Sequence, residues 1–231
     1  MSDDRYSLVR KVISAVRPRY TETPESAIEA VINLTIGVID NKIPGDLVEC
    51  GTWMGGCSFA MLLAQRYVYG EIRRPVWMYD SFEGMSPPSP MDGVQAANWY
   101  TISETLPKDK PSNKYCIAPL QIVQKNIKEL DLEKFVILRP GWLDDTLPKS
   151  KPETIALLRI DCDWYDPVKI VWEELEPRLS PGAPIIIDDY YAWDGASIAT
   201  HEYLTKKKLP WPLMTIGAMD GAWTVKGGRV A

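Results

Sequence analysis

Asp46-Leu47-Val48-Glu49-Cys50-Gly51-Thr52-Trp53-Met54-Gly55-Gly56-Cys57-Ser58 decides how the rest of the chain reads. A short apolar run ends in an acid, a glycine-rich turn follows, and residues 59–67 have helix-forming character. Strand, tight loop and helix start, in that order, let a backbone approach a nucleotide-like ligand closely. Upstream, residues 5–16 read as a basic, partly amphipathic helix, and Thr23-Pro24-Glu25 supplies a cap and a first-turn proline for a helix to about Asn41. Downstream, apolar runs at 75–79, 135–138, Ile155–Ile160 and Pro184–Ile187 read as further strands. Helical patterns at 117–130, 166–179 and 196–207 fall between and after them. A closing pair at 213–216 and Ala222–Val225 turns around Met219-Asp220-Gly221.

Strands alternating with helices imply an α/β fold with a doubly wound, mostly parallel sheet, and the runs add up to seven strands. The run Ile155–Ile160 is near-continuous in apolar residues, as a strand covered on both faces requires. At 231 residues one domain over 1–231 is expected, with N-terminal helices over 1–43 and a lid-like insertion over 83–115. That insertion is rich in proline and weak in periodicity.

Composition removes several function classes. A net charge of −5 argues against a nucleic-acid partner, and no apolar run reaches membrane-spanning length. Residues 1–20 are too charged for a signal peptide, and Cys50, Cys57, Cys116 and Cys162 form no CxxC pair, so a cytoplasmic protein with reduced thiols is expected. His201 is the single histidine, which excludes multi-histidine metal sites; its place inside a helix suggests a surface or packing role. The nine Trp and eleven Tyr against three Phe are unusual. Many of these rings, among them Trp53, Trp99, Trp142, Trp164 and Trp193, fall near loop tips, where they form a wall for a flat or sugar-like ligand.

In a parallel sheet the ligand sits beyond the carboxyl ends of the strands. Those ends carry Glu49-Cys50-Gly51, Asp80-Ser81, Gly141-Trp142, Asp161-Cys162-Asp163 and Asp188-Asp189, which should converge on one cleft. Asp80 can accept hydrogen bonds from both hydroxyls of a ribose. The loop lacks the GxGxxG spacing that a pyrophosphate needs, which favours S-adenosylmethionine over NAD. Asp161, Asp188 and Asp189 end neighbouring strands, and clustered carboxylates call for a hard divalent cation such as Mg²⁺. Asp163, two residues beyond Asp161, is placed either as a general base or as a solvated loop acid. Asp166 before Pro167 reads as a helix cap, and Arg159 within its strand needs a structural ion pair if buried.

Five motifs carry a family resemblance. They are residues 44–56, Tyr79-Asp80-Ser81-Phe82-Glu83-Gly84-Met85, Gly141-Trp142-Leu143-Asp144-Asp145-Thr146-Leu147-Pro148, Leu158-Arg159-Ile160-Asp161-Cys162-Asp163-Trp164-Tyr165, and 179–190. In this order, from about Thr21 to Leu204, the chain resembles the macrocin O-methyltransferase (TylF-type) family. The resemblance implies a class I methyltransferase fold, S-adenosylmethionine as donor, and Mg²⁺-dependent transfer to a hydroxyl of a sugar or related natural-product small molecule. Carried over by position, Asp161, Asp188 and Asp189 hold the metal, and Asp163 and Asp161 are catalytic. Glu49, Cys50, Gly51, Thr52, Trp53, Ser58, Asp80, Ser81, Gly141, Trp142 and Asp161 form the cofactor site. Cys57 stands where the family more often has a small hydroxyl residue or alanine, and the lid sequence around Trp99-Tyr100 matches no motif of the resemblance, so the acceptor stays open. The alternatives are an NAD(P)-dependent oxidoreductase on the same sheet type and a non-catalytic S-adenosylmethionine-binding module. A homodimer in which the basic first helix covers the neighbouring cleft is also expected.

Overall fold

The computed structural model describes residues 3–103 and 116–228, so residues 104–115 of the expected insertion lie outside the described residues. In chain order the elements are α1 (Asp3–Val16), α2 (Glu25–Asp40), β1 (Asp46–Cys50), α3 (Gly56–Tyr69), β2 (Val76–Asp80), α4 (Gly93–Ser103), α5 (Leu120–Glu129), β3 (Val136–Pro140), α6 (Leu143–Thr146), β4 (Ile155–Ile160), α7 (Tyr165–Leu175), β5 (Pro184–Ile187), α8 (Asp194–Lys206), β6 (Met214–Thr215) and β7 (Ala222–Val225). The strands form one sheet in the order β3-β2-β1-β4-β5-β7-β6. Pairings from β3 through β5 are parallel, and β7 runs antiparallel to both β5 and β6. Chain order reverses between β1 and β4, which opens the crevice at their carboxyl ends.

Strand periodicity divides the core. Leu47, Met78, Leu157 and Ile186 pack with residues of α2, α3 and α5, while Val48, Tyr79, Leu158 and Ile187 pack with α7 and α8. Both faces are thereby covered, and all six residues of β4 are buried. Each fully buried leucine or isoleucine there contributes about 1.5–3 kcal/mol. The apolar residues of α1 (Val9, Val12, Ile13, Val16) follow a helical stripe and join the α2–α3 side.

Three local expectations change. Thr23 does not cap α2; its backbone N–H donates to Thr21 Oγ1 at 3.0 Å, and Pro24 occupies the cap position without a side-chain bond. The segment read as irregular contains α4, entered through a capping box of Ser89 and Asp92. Val94, Ala96, Ala97, Trp99 and Tyr100 run round this helix rather than along one face, so the sequence shows no 3.6-residue stripe. Asp166 lies inside the first turn of α7, and the cap comes from the insertion: Tyr165 N–H donates to Asp92 Oδ1 at 2.6 Å. Asp92 is buried, its other oxygen accepts from Ser89 N–H, and it packs so closely on Gly195 that a Cβ there would lie 1.8 Å from Oδ1. One acid therefore ties the insertion to the starts of α7 and α8. Among the described residues no helix is long and apolar enough to cross a membrane.

Candidate active site

The carboxyl ends of β1, β4 and β5 assemble the acids by register. Glu49 pairs opposite Arg159, and Arg159 opposite Ile186. With a period of two, Glu49, Arg159, Asp161 and Asp188 emerge on the α3 side of the sheet. Gly51 makes this convergence possible. Its φ is +81°, its N–H donates to Tyr79 O, and a Cβ would lie 1.7 Å from the carbonyl oxygen of Asp161. Gly56 serves a similar purpose at the other end of the loop, where a Cβ would meet Tyr20 O at 2.6 Å. Gly51 borders both cavities, as a loop that leaves room for a ligand should, and both glycines also accommodate other segments of the chain.

Arg159 is fully buried and lies among three acids. Its Nη1 donates to Glu49 Oε1 at 2.6 Å and to Asp161 Oδ2 at 2.5 Å. Its Nη2 lies 2.6 Å from Asp188 Oδ1 but is not aligned as a hydrogen bond, so this contact is coulombic. Burial opposes the charge on Arg159; Asp161 and Asp188 outweigh it and hold the guanidinium well above its ordinary range. Glu49, which also accepts from Ser58 Oγ, is pushed up to about 7 by burial against the pull of Arg159. One guanidinium does not compensate this many acids. Burial, aggravated by neighbouring carboxylates, raises Asp188 and Asp189 well above the usual carboxylate range, and Asp163 to about 7. Oxygen atoms of Asp161, Asp188 and Asp189 lie within 4.8 Å of one another. Half-buried, all-oxygen and short of positive charge, this set fits a hard divalent cation.

Two cavities meet at these residues. The larger, of about 490 Å³, runs from Gly51, Asp80 and Ser81 past Trp142 and Leu143 to Trp164. The smaller, of about 220 Å³, holds Glu49, Thr52, Trp53, Arg159, Asp188 and Asp189. Asp161 and Asp163 line both. Asp163 has φ of +59°, its N–H donates to Asp189 Oδ2 at 3.1 Å, and its Oδ1 accepts from the Trp193 indole at 3.0 Å. Asp80 accepts from the N–H groups of Thr52 (2.7 Å), Trp53 (2.9 Å) and Phe82 (2.7 Å). A carboxylate has about four acceptor sites, so one remains for a ribose hydroxyl where the sequence reading allotted two. Burial raises its pKa and the three backbone donors oppose that shift.

Glu49, Gly51, Thr52, Trp53, Asp80, Ser81, Trp142, Asp161, Asp163, Asp188 and Asp189 thus border the joined cavity. The side chains of Cys50 and Ser58 do not reach it. Cys50 is core, and Ser58 is fully buried on α3 beneath Glu49. Gly141 forms the turn after β3, with φ of +128° and its N–H on Asp80 O, and borders neither cavity. His201 is exposed and meets Tyr190 Oη at 2.7 Å, outside the joined cavity. Of the aromatic wall, Trp142 and Trp164 line the large cavity and Trp53 the small one, and Trp99, Trp164 and Trp193 pack edge to face on one another. Residues missed from the sequence are Thr21, Glu22 and Thr23, between α1 and α2, at the small cavity, and Met85 and Pro87 at the large one. Gly56, needed where Tyr20 crosses, is the signal that an upstream segment covers this loop.

A seven-stranded sheet with one reversed strand, and a cleft at the carboxyl ends of β1 and β4, define a class I methyltransferase. The solved O-methyltransferase NovP superimposes with a TM-score of 0.78 at 29% identity, covering 90% of this chain and 82% of that one. The family model for macrocin-O-methyltransferase (TylF) matches residues 15–225. The chain belongs to that family and is an O-methyltransferase. Curated relatives agree. The 8-demethyl-8-(2,3-dimethoxy-alpha-L-rhamnosyl)-tetracenomycin-C 4'-O-methyltransferase of Streptomyces olivaceus is 36% identical over 187 residues, 80% of this chain and 68% of the relative. The demethyldecarbamoylnovobiocin O-methyltransferase of Streptomyces niveus is 33% identical over 187 residues, with the same coverage.

Proposed function

We propose that the protein moves the methyl group of S-adenosylmethionine to a hydroxyl of a sugar on a small natural-product glycoside, with Mg²⁺ held by Asp161, Asp188 and Asp189. The observation that carries this reading is the meeting of those three carboxylates within 4.8 Å at the floor of a cleft whose other limb is walled by Trp142 and Leu143. The names of the relatives support the acceptor class. In this reading the larger cavity takes the nucleoside, with Trp142 against the flat base and Asp80 on one ribose hydroxyl. Asp163, at the junction of the two cavities, accepts the proton of the acceptor hydroxyl. Arg159 keeps the acid cluster in register and takes no part in proton transfer. When bound, the cation would supply Lewis-acid polarisation of the acceptor hydroxyl. Helix α4, packed through Trp99 on Trp164 and Trp193, shields the reaction from water. The same reading has the enzyme in the cytoplasm as a homodimer.

The test is a screen with S-adenosylmethionine and Mg²⁺ against glycosides that include demethyldecarbamoylnovobiocin and 8-demethyl-8-(2,3-dimethoxy-α-L-rhamnosyl)-tetracenomycin C. A mass gain of one methyl group is expected, lost in excess EDTA. Unchanged turnover in EDTA removes the metal, and donor binding without methylation of any glycoside removes the acceptor class. Calorimetric titration with NAD⁺ and NADP⁺ should show no binding, and sedimentation velocity showing only monomer removes the dimer.

A further inference from the structure

We propose that Trp193 is a positioning residue for methyl transfer: its indole N–H holds the Asp163 carboxylate in one orientation, and its ring ties that orientation to the insertion helix α4. The inference rests on the reading of Asp163 as the base.

Asp163 sits in a left-handed backbone conformation that is costly for a residue with a Cβ. Its N–H on Asp189 Oδ2 fixes the peptide, yet nothing in that bond fixes the side chain. Among the described residues the Trp193 indole is the one hydrogen-bond donor to its carboxylate. An indole N–H only donates and does not titrate, so it can set the direction of the carboxylate without competing for the proton. Its own place is determined twice over. Trp193 N–H donates to Asp189 O at 3.0 Å, so the residue follows the acid turn directly. Its ring centroid lies 5.0 Å from that of Trp164 and 6.0 Å from that of Trp99, both edge to face. Trp164 is buried, immediately follows Asp163, and donates to Ser86 O at 2.9 Å. Trp99 belongs to α4. The three indoles form one packed unit in which the insertion, the Asp163 loop and the Asp189 turn touch. A displacement of α4 therefore reaches the base through Trp193.

Trp193→Phe deletes the donor and keeps an aromatic, though smaller, ring against Trp99 and Trp164. In its crystal structure the Asp163 side chain is expected in more than one rotamer, with Asp161, Asp188 and Asp189 unmoved; a single, unaltered Asp163 rotamer overturns the proposal. With either glycoside named above as acceptor, kcat should fall roughly ten- to a hundredfold, with the KM for acceptor and donor within about twofold. The Asp163→Asn/Trp193→Phe double variant should be no slower than Asp163→Asn alone, whereas additive losses mean that Trp193 acts by another route. Should Trp193→Phe fail to fold, the indole proton of Trp193 in ¹⁵N-labelled protein decides. It is expected to move when Asp163 becomes Asn, and an unchanged position overturns the contact. Asp163→Asn with full turnover removes the base reading. Asp163→Asn inactive with Trp193→Phe fully active removes Trp193 alone.

Discussion

The cleft has two unlike sides. At the end of β2 a single carboxylate, Asp80, is already occupied by three backbone N–H groups, and the neighbouring wall includes Trp142 and Leu143. At the ends of β4 and β5, Asp161 and Asp188 gather with Glu49 around one guanidinium, and Asp163 and Asp189 border the same cavity. The first side has its charge satisfied by the fold and offers shape. The second is left with negative charge that the fold does not cancel, and burial drives its acids towards protonation. Recognition can be finished by folding alone. A site for chemistry is kept incomplete until its ligands arrive.

The sharpest way to break this contrast is Asp188→Asn. If the acid side serves the reaction and not donor binding, methyl transfer should fall on the order of a hundredfold or more. Calorimetry should give an S-adenosylmethionine Kd within about threefold of wild type. Comparable losses in both quantities mean that the two sides work as one.

Arg159→Met tests the same side through stability. The substitution keeps much of the volume and removes the cation, leaving Glu49 buried with Ser58 as its remaining partner. Breaking one partner out of a buried pair costs about 3–5 kcal/mol. Asp161 and Asp188 border the cavity and can be solvated there, so the lower figure is expected, a fall in melting temperature of roughly 6–12 °C at this chain length. Mg²⁺ should restore more of that loss in the variant than it adds to the wild type, because the cation then supplies the missing positive charge. Equal Mg²⁺ effects on both would mean that cation and guanidinium do not share their acids.

How much of this was legible in the sequence follows the same division. The bounds of β4 and β5 match the apolar runs read from the sequence pattern, because a strand covered on both faces leaves a near-continuous apolar record, broken in β4 by Arg159 alone. The acids at the strand ends were legible for the same reason, since topology sends every carboxyl end to one edge. Arg159 was open to the same logic: two residues before Asp161 in a period-two strand, it must share a face with it. What could not be read depends on chain segments distant in sequence. Asp92 caps α7 from 73 residues upstream. Thr21 and Thr23 reach the small cavity because Tyr20 crosses over Gly56. Helix α4 carries no stripe because Trp99 meets rings on two other loops rather than a continuous helix face. The cofactor assignment of Ser58 came from motif position, and local spacing does not reveal that α3 turns it under Glu49.

Trp142→Ala probes the shape side and should have the smallest effect. Trp142 precedes α6, is 39% exposed and borders the larger cavity beside Asp80 and Ser81. Being partly exposed, it adds little to the core, so the melting temperature should stay within about 2 °C. Loss of one aromatic face from a bound base is worth about 0.5–1.5 kcal/mol, which weakens S-adenosylmethionine binding by roughly two- to tenfold. At saturating donor kcat should be unchanged, because none of the acids depends on this ring for its position. A fall in kcat as large as that expected for Asp188→Asn would mean that the ring sets the position of the methyl group itself, and the contrast between a binding side and a reacting side would not hold.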